Sequence, residues 1–162
     1  MRQEKLTLAP FYQGWDTYQA ALVQAIAPLS EDQLALRAAP SLRPVWLLAA
    51  HIIGSRVSSF QDSMGEGDPA LAALESWDAE GALPRTAAEL VQGLEANWQM
   101  IHECLDRWTP ANLADIFVEQ QGWQTYSYTR QRIIWGFLKH DLHHGGELFL
   151  TLGIHGLHTP EV

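Results

Sequence analysis

The sequence predicts an all-α protein, a four-helix bundle with short extra helices in its connections. Apolar residues recur every three or four positions through four long segments, which is the spacing of one helix face. Capping patterns precede several of these segments, and proline or glycine follows them. Because the connections are short, we expect these helices to form a bundle, and an irregular helical array stays open as the alternative.

The first long helix is predicted from Thr7 to Ala27. Its apolar face carries Phe11, Trp15, Tyr18, Leu22 and Ile26. Pro28 ends it, because proline clashes with the preceding turn and lacks an N–H. A short helix is expected to follow, since Ser30 opens the capping-box sequence Ser-Glu-Asp-Gln.

The second long helix is predicted from Pro44 to about Phe60, with Pro44 at the first helical position, where a missing N–H costs nothing. The glycine-rich, acidic stretch 65–69 breaks the helical pattern. A short helix is expected from Ala70 to Trp77.

The third long helix is predicted from Thr86, which opens a second capping box, to Trp108, with Pro110 just beyond. The fourth is predicted from Thr129 to Leu152 and closed by Gly153. Between them, Ile116–Tyr128 is expected to be an extended connector around a glycine, with room for a short strand.

The length and charge of the chain limit how many domains it has and which partners it binds. A chain of 162 residues suits one domain, taken here as residues 1–162. The formal net charge is −9 and there is no basic run, so neither nucleic acid nor an anionic membrane surface is an expected partner.

The first residues lack an apolar core of signal-peptide length, and no apolar stretch is long enough to span a bilayer. The single cysteine, Cys104, allows no intrachain disulfide and is expected to be a small buried filler. We expect a cytoplasmic protein.

The run from Lys139 to Glu147 contains three histidines. His140 and His144 are four residues apart, so on a helix both can bind one ion from the same face. His143 competes with His144, because a spacing of three also works. At about 100° per residue, His144 falls inside the apolar arc of the helix and His143 falls on the polar side. This phase favours His140 and His144 as the inward pair.

A third ligand is expected, because two histidines alone make a weak site. His51 lies in an apolar stretch of the second long helix, where a charged imidazole would be costly and a neutral one could bind a cation. The more frequent role of a lone histidine there is that of a hydrogen-bonded core residue. The other histidines, expected at the surface or in loops, are His102, His155 and His158.

Two acidic residues lie near the histidine pair. Glu147 falls on the histidine side of the helix, as a candidate general base or, by preference, as a carboxylate that is either solvated or orients a histidine. No catalytic residue stands out beyond this candidate. Asp141, if buried, needs a partner and could orient a histidine of a neighbouring helix.

The chain resembles the DinB/YfiT-like family of metalloenzymes. The segment Trp46–His51 and the run Leu138–Leu148 carry the resemblance, together with the connector Gly122-Trp123-Gln124-Thr125. The family implies a four-helix bundle with an unusual connection order and a divalent metal, nickel or zinc. By position, its three histidine ligands correspond to His51, His140 and His144.

The resemblance also implies a function. Relatives include S-transferases and isomerases that use low-molecular-weight bacterial thiols, and dimers are common among them. It therefore implies a metal-dependent enzyme with a small-molecule substrate and a thiol partner. A metal-dependent hydrolase, a non-catalytic metal-binding stress protein and a metal-free helical interaction domain stay open. One departure is Gly145, where many relatives have an arginine that offers an anion contact.

Overall fold

Five α-helices, three 3-10 helices and a β-hairpin make up the computed structural model, which describes residues 6–161. The α-helices are α1 (Gln13–Ile26), α2 (Glu31–Leu34), α3 (Val45–Met64), α4 (Ala87–Arg107) and α5 (Arg130–Ile154). The 3-10 helices are Ala9–Tyr12, Pro69–Asp78 and Pro110–Ala114. The strands are β1 (Ile116–Gln121) and β2 (Gln124–Thr129). The predicted all-α class is confirmed.

Side-chain caps fix the starts of the helices. The Ser30 hydroxyl accepts the Gln33 N–H at 3.3 Å before α2, and the Gln33 side chain accepts the Ser30 N–H at 2.9 Å. Thr86 and Glu89 make the same reciprocal pair before α4. Because each pair satisfies two N–H groups that the helix leaves free, both predicted capping boxes are confirmed.

Three predicted boundaries were wrong. Pro44 is the N-cap of α3, with an extended backbone at ψ 162°, and not its first helical residue. Helix α3 runs past Phe60 to Met64 and ends where Gly65 adopts a φ of 63°. Gly153 lies inside α5 and does not end it, because the backbone turns left-handed only at Gly156 (φ 71°).

Two predicted helical segments have a tighter geometry. The first helix begins as the 3-10 segment Ala9–Tyr12, which contains Pro10, before becoming α1. The short helix after the acidic stretch is the 3-10 helix Pro69–Asp78. 3-10 helices longer than three or four residues are uncommon. This ten-residue segment packs extensively against α3, so these tertiary contacts stabilise it.

The extended connector is a complete hairpin. Strands β1 and β2 pair antiparallel from Ile116–Thr129 to Gln121–Gln124. Gly122 has a φ of 62° in the two-residue loop, a conformation that glycine adopts without steric cost.

The four long helices surround one apolar core. Helices α1 and α3 each pack against both α4 and α5, so they lie across the bundle from each other although they follow each other in the chain. Fully buried apolar residues from all four helices fill the centre: Leu22, Ile26, Ile52, Ile53, Phe60, Leu90, Leu94, Ile101, Leu148 and Leu152. Cys104 is 2% exposed in this core, as expected for a small apolar filler.

Within residues 6–161, every helix is too short or too polar to cross a bilayer. The expectation about a signal peptide concerns a segment that includes residues 1–5, which lie outside the described residues. The predicted domain of residues 1–162 likewise includes these residues and Val162.

Candidate metal centre

Helices α3 and α5 bring three histidines together. His51 comes from α3, and His140 and His144 come from successive turns of α5. One ring nitrogen from each lies within 4.8 Å of those of the other two. The ring centroids are 4.4–4.7 Å apart. The three residues that the sequence singles out therefore form one cluster, while metal binding itself stays a prediction.

A carboxylate holds the outer nitrogen of His51. Asp78 Oδ2 lies 2.6 Å from His51 Nδ1. Asp78 is the last residue of the 3-10 helix Pro69–Asp78, which approaches α3 closely at Gly54. A Cβ at Gly54 would lie 3.2 Å from the Glu75 carbonyl oxygen, so glycine gives this segment its room.

A second carboxylate holds His144. Glu147 Oε2 lies 2.7 Å from His144 Nδ1, one helical turn further along α5. Of the two roles that the sequence leaves open for the Glu147 carboxylate, solvated or histidine-orienting, the structure shows the second. Because a carboxylate accepts hydrogen bonds, His51 and His144 carry their proton on Nδ1 and direct the lone pair of Nε2 into the cluster.

Burial favours the neutral forms of His140 and His144. Desolvation, together with the neighbouring imidazoles of His144 and His51, lowers the pKa of His140 to about 4. Desolvation also lowers the pKa of His144, against the opposing effect of the hydrogen bond that its Nδ1–H donates to Glu147. Neutral imidazoles are the form that binds metal ions, so at neutral pH these groups need not lose a proton first.

The donor set fits a divalent cation. The Nε2 atoms of His51 and His140 lie 3.0 Å apart, close to the roughly 3.3 Å expected between two nitrogens of a tetrahedral zinc site. The lone pairs converge, which is unfavourable unless a proton or a cation lies between them. His140 Nδ1 is buried without a hydrogen-bond partner. Carboxylates therefore orient the rings of His51 and His144 but not the ring of His140.

The remaining histidines lie outside the cluster. The His143 side chain is 65% exposed, with Nε2 3.6 Å from Glu147. His143, His144 and Glu147 form a second group within ligand distance, on the exposed side of α5. His102 makes an ion pair with Asp106, and His155 and His158 are exposed near the end of the chain.

Asp141 does not orient a histidine. It is fully buried and bonded to the guanidinium of Arg56, with Nε 2.9 Å and Nη2 2.8 Å from its Oδ2. Trp15 Nε1 donates to the same oxygen at 2.9 Å. The suggested role of Asp141 at the metal centre is therefore wrong. Asp78 takes that role for His51, and sequence reasoning missed it, because nothing in the local pattern around Asp78 marks it.

Gly145 is explained by a tyrosine from α1. A Cβ at Gly145 would lie 2.1 Å from the Tyr18 hydroxyl oxygen. That hydroxyl lies 3.3 Å from the Asp141 carbonyl oxygen. Since the tyrosine fills the space beside residue 145, a side chain as large as arginine does not fit without a shift of α1 or of Tyr18.

Two cavities flank the histidines. One, of about 350 Å³, contains Arg43, Glu147 and Thr151. The other, of about 280 Å³, extends from His140 to Arg132. Each cavity is therefore lined by one arginine, Arg43 in the first and Arg132 in the second, in a chain whose net charge is −9.

Comparison with known proteins gives consistent results. A family model described as the DinB superfamily matches residues 15–148. A DinB-like protein from Bacillus cereus has a similar structure, with a TM-score of 0.74, 20% identity, and coverage of 96% of this chain and 97% of that one. A DinB-like protein from Bacillus subtilis has a TM-score of 0.62 at 16% identity, over 89% of this chain and 90% of that one. At these identities the two structures establish the fold alone. No curated protein matches the chain significantly.

Proposed function

Because the chain belongs to the DinB superfamily, we propose that it is a metal-dependent enzyme acting on small molecules, of the thiol-dependent S-transferase type. One observation carries the proposal. Three imidazoles converge between α3 and α5, and carboxylates hold the outer nitrogens of His51 and His144. Carboxylate–histidine pairs of this kind support metal ligands in many proteins.

Nickel or zinc is the proposed metal, held by His51, His140 and His144. Among the described residues, this group has three members, and a site with three protein ligands keeps positions open for substrate. The metal would supply positive charge that lowers the pKa of a bound thiol or water. Asp78 and Glu147 fix the tautomers of their histidines.

The proposed partners are a small-molecule substrate and a low-molecular-weight thiol. The cavities on either side of the cluster give room for two ligands near one centre. Glu147 lines one of them, so it is placed to accept a proton there as well as to orient His144. The acidic chain disfavours nucleic acid as a substrate, because like charges repel phosphate backbones.

A hydrolase is the second candidate, because the same centre would activate water when no thiol is bound. A non-catalytic metal-binding stress protein is less favoured, since a closed structural site normally has four protein ligands.

Metal binding is the first test. Untagged protein is titrated with zinc and with nickel against a chelator, alongside alanine variants of His51, His140, His144 and the outward His143. We expect a loss of affinity of about tenfold or more for each of the three clustered histidines and little change for His143→Ala. Equal losses in all four variants would contradict the assignment.

Activity is the second test. Thiol conjugation to a generic electrophile is assayed with metal-free, metal-loaded and His144→Ala protein, using several bacterial thiols. We expect turnover in the metal-loaded wild type alone. Equal rates in all three forms would show that the reaction does not need the metal. If the protein binds metal but does not catalyse thiol conjugation, the hydrolase is favoured.

A further inference from the structure

The cavity of about 280 Å³ beside the histidine cluster has chemically distinct ends. His140 and Arg132 line opposite ends along α5, and Glu119 lines the cavity from β1. Arg132 and His140 are two turns apart on α5, about 12 Å along the axis at 1.5 Å per residue. The volume is near the lower limit for small-molecule sites, so the shape suits a slender, elongated ligand.

A row of hydroxyls lines the middle of the cavity. Ser55, Ser59 and Ser63 follow His51 on α3 at intervals of four residues, which places them on one helix face. None of the three hydroxyls hydrogen-bonds to another residue of the described chain, segment 6–161. Each hydroxyl can donate and accept, so the middle of the cavity suits a ligand with amide or hydroxyl groups.

Arg132 and Glu119 line this cavity as two unlike charges that do not form an ion pair with each other. The Arg132 guanidinium lies 5.0 Å from the centre of the Tyr128 ring, and no carboxylate in residues 6–161 forms an ion pair with it. Glu119 enters from β1, where Gln121 donates to one of its oxygens at 2.9 Å and leaves the other available. A cation and an anion that line one cavity match a ligand that carries both charges.

We propose that this cavity binds the amino-acid end of an elongated zwitterionic molecule, with its carboxylate on Arg132 and its ammonium on Glu119. The polar middle of the ligand lies along the three serines, and its other end reaches His140. The inference names the substrate class and, for the metal-proximal end, rests on the proposed function. Glu119 disfavours a polyanion, and the free hydroxyls disfavour an apolar ligand.

Three matched dipeptide-like probes test the charges separately. γ-Glutamyl-alanine carries the α-ammonium and the α-carboxylate of its glutamyl residue, glutaryl-alanine lacks that ammonium, and 4-aminobutyryl-alanine lacks that carboxylate. All three probes keep the carboxylate of alanine. Binding of each is measured by calorimetry to metal-free and zinc-loaded protein. We expect the wild type to bind γ-glutamyl-alanine about tenfold or more tighter than either truncated probe, since each charge-assisted contact contributes independently.

Charge-neutral variants assign the contacts. Arg132→Gln should abolish the preference over 4-aminobutyryl-alanine, and Glu119→Gln should abolish the preference over glutaryl-alanine. Arg43→Gln, in the cavity on the other side of the cluster, is the matched control and should leave both preferences unchanged. Both tested side chains are exposed, so the variants should fold as the wild type does.

Equal binding of the three probes, or no binding at millimolar concentrations, overturns the inference. So does a loss in Arg43→Gln as large as that in Arg132→Gln. Zinc affinity is measured in the same variants and should not change. A chain that fails to bind zinc but keeps probe selectivity in its metal-free form contradicts the proposed function and leaves this inference standing.

Discussion

At the scale of single residues, the histidine cluster depends on groups that are themselves not ligands. Asp78 and Glu147 decide which nitrogen of His51 and of His144 carries the proton, and therefore which nitrogen offers a lone pair. Burial lowers the pKa of His140, so the third imidazole is neutral without a carboxylate partner. In the proposed metal site, five side chains rather than three would therefore set the affinity for metal.

Asp78→Asn tests this view. The amide keeps the shape of the carboxylate but removes its charge, so we expect zinc affinity to fall by about 10- to 100-fold with the fold intact. Asp62→Asn, on the exposed face of α3, is the control and should bind zinc like the wild type. Wild-type affinity in Asp78→Asn would show that Asp78 does not support His51.

Gly145→Ala tests the contact with Tyr18. The added Cβ would lie 2.1 Å from the tyrosine hydroxyl, so we expect a loss of about 1–3 kcal/mol in the free energy of unfolding, measured by urea denaturation. Gly146→Ala is a matched control, because nothing lies within 4 Å of its Cβ position. It should stabilise α5 by up to about 1 kcal/mol. Destabilisation by both substitutions would point to the helix backbone and not to Tyr18.

At the scale of the helices, a buried polar cluster joins all four long elements. Arg56 of α3 bonds Asp141 of α5, Gln19 of α1 at 2.6 Å and Asn97 of α4 at 3.0 Å. Arg56 and Asp141 are both 0% exposed, so neither charge can be solvated if its partner is lost. The cluster lies beside His140 in the sequence of α5 and helps to fix the register of α3 against that helix.

Replacing one charge should cost more than replacing both. We expect Arg56→Met or Asp141→Leu to lower the free energy of unfolding by about 3–5 kcal/mol, because each leaves the other charge buried and unpaired. The double variant should lose clearly less than the sum in a chemical denaturation series. Arg85→Met, which breaks the partly exposed pair with Glu89, should lose about 1 kcal/mol or less. If the loss in the free energy of unfolding of the double variant equalled the sum of the two single losses, Arg56 and Asp141 would not be energetically coupled.

At the scale of the whole molecule, α1 and α5 leave an apolar groove exposed. Phe11 is 62%, Trp135 63% and Leu142 49% exposed along it. Exposed apolar patches of this kind often mark interfaces, and two-fold symmetric dimers are the commonest small assembly. We propose a homodimer that buries this groove.

Sedimentation of Trp135→Glu tests the assembly. The wild type should sediment as a dimer at roughly tens of micromolar, and the variant should shift to monomer because a buried charge at the interface is costly. Trp123→Glu, at the 91% exposed tip of the hairpin, should remain dimeric. A monomeric wild type at this concentration removes the proposal.

The sequence by itself determined the features that depend on neighbours along the chain. Capping boxes at Ser30 and Thr86 are local hydrogen bonds, so their residues mark the starts of α2 and α4. The phase of α5 places His140 and His144 on one face and His143 on the other, and it puts Glu147 one turn from His144. These arrangements follow from helical periodicity, because side chains three or four positions apart share a helix face. They can therefore be derived from the spacing of residues along the chain.

Only the tertiary structure decided the contacts between distant segments. Asp78 meets His51 across 27 positions, and Asp141 meets Arg56 across 85. The missing side chain of Gly145 makes room for the Tyr18 hydroxyl, which comes from another helix. The residues around Gly145 in the sequence do not indicate this contact. Such pairs depend on how the helices pack, because a side chain's partner across the bundle is fixed by helix position and not by spacing along the chain.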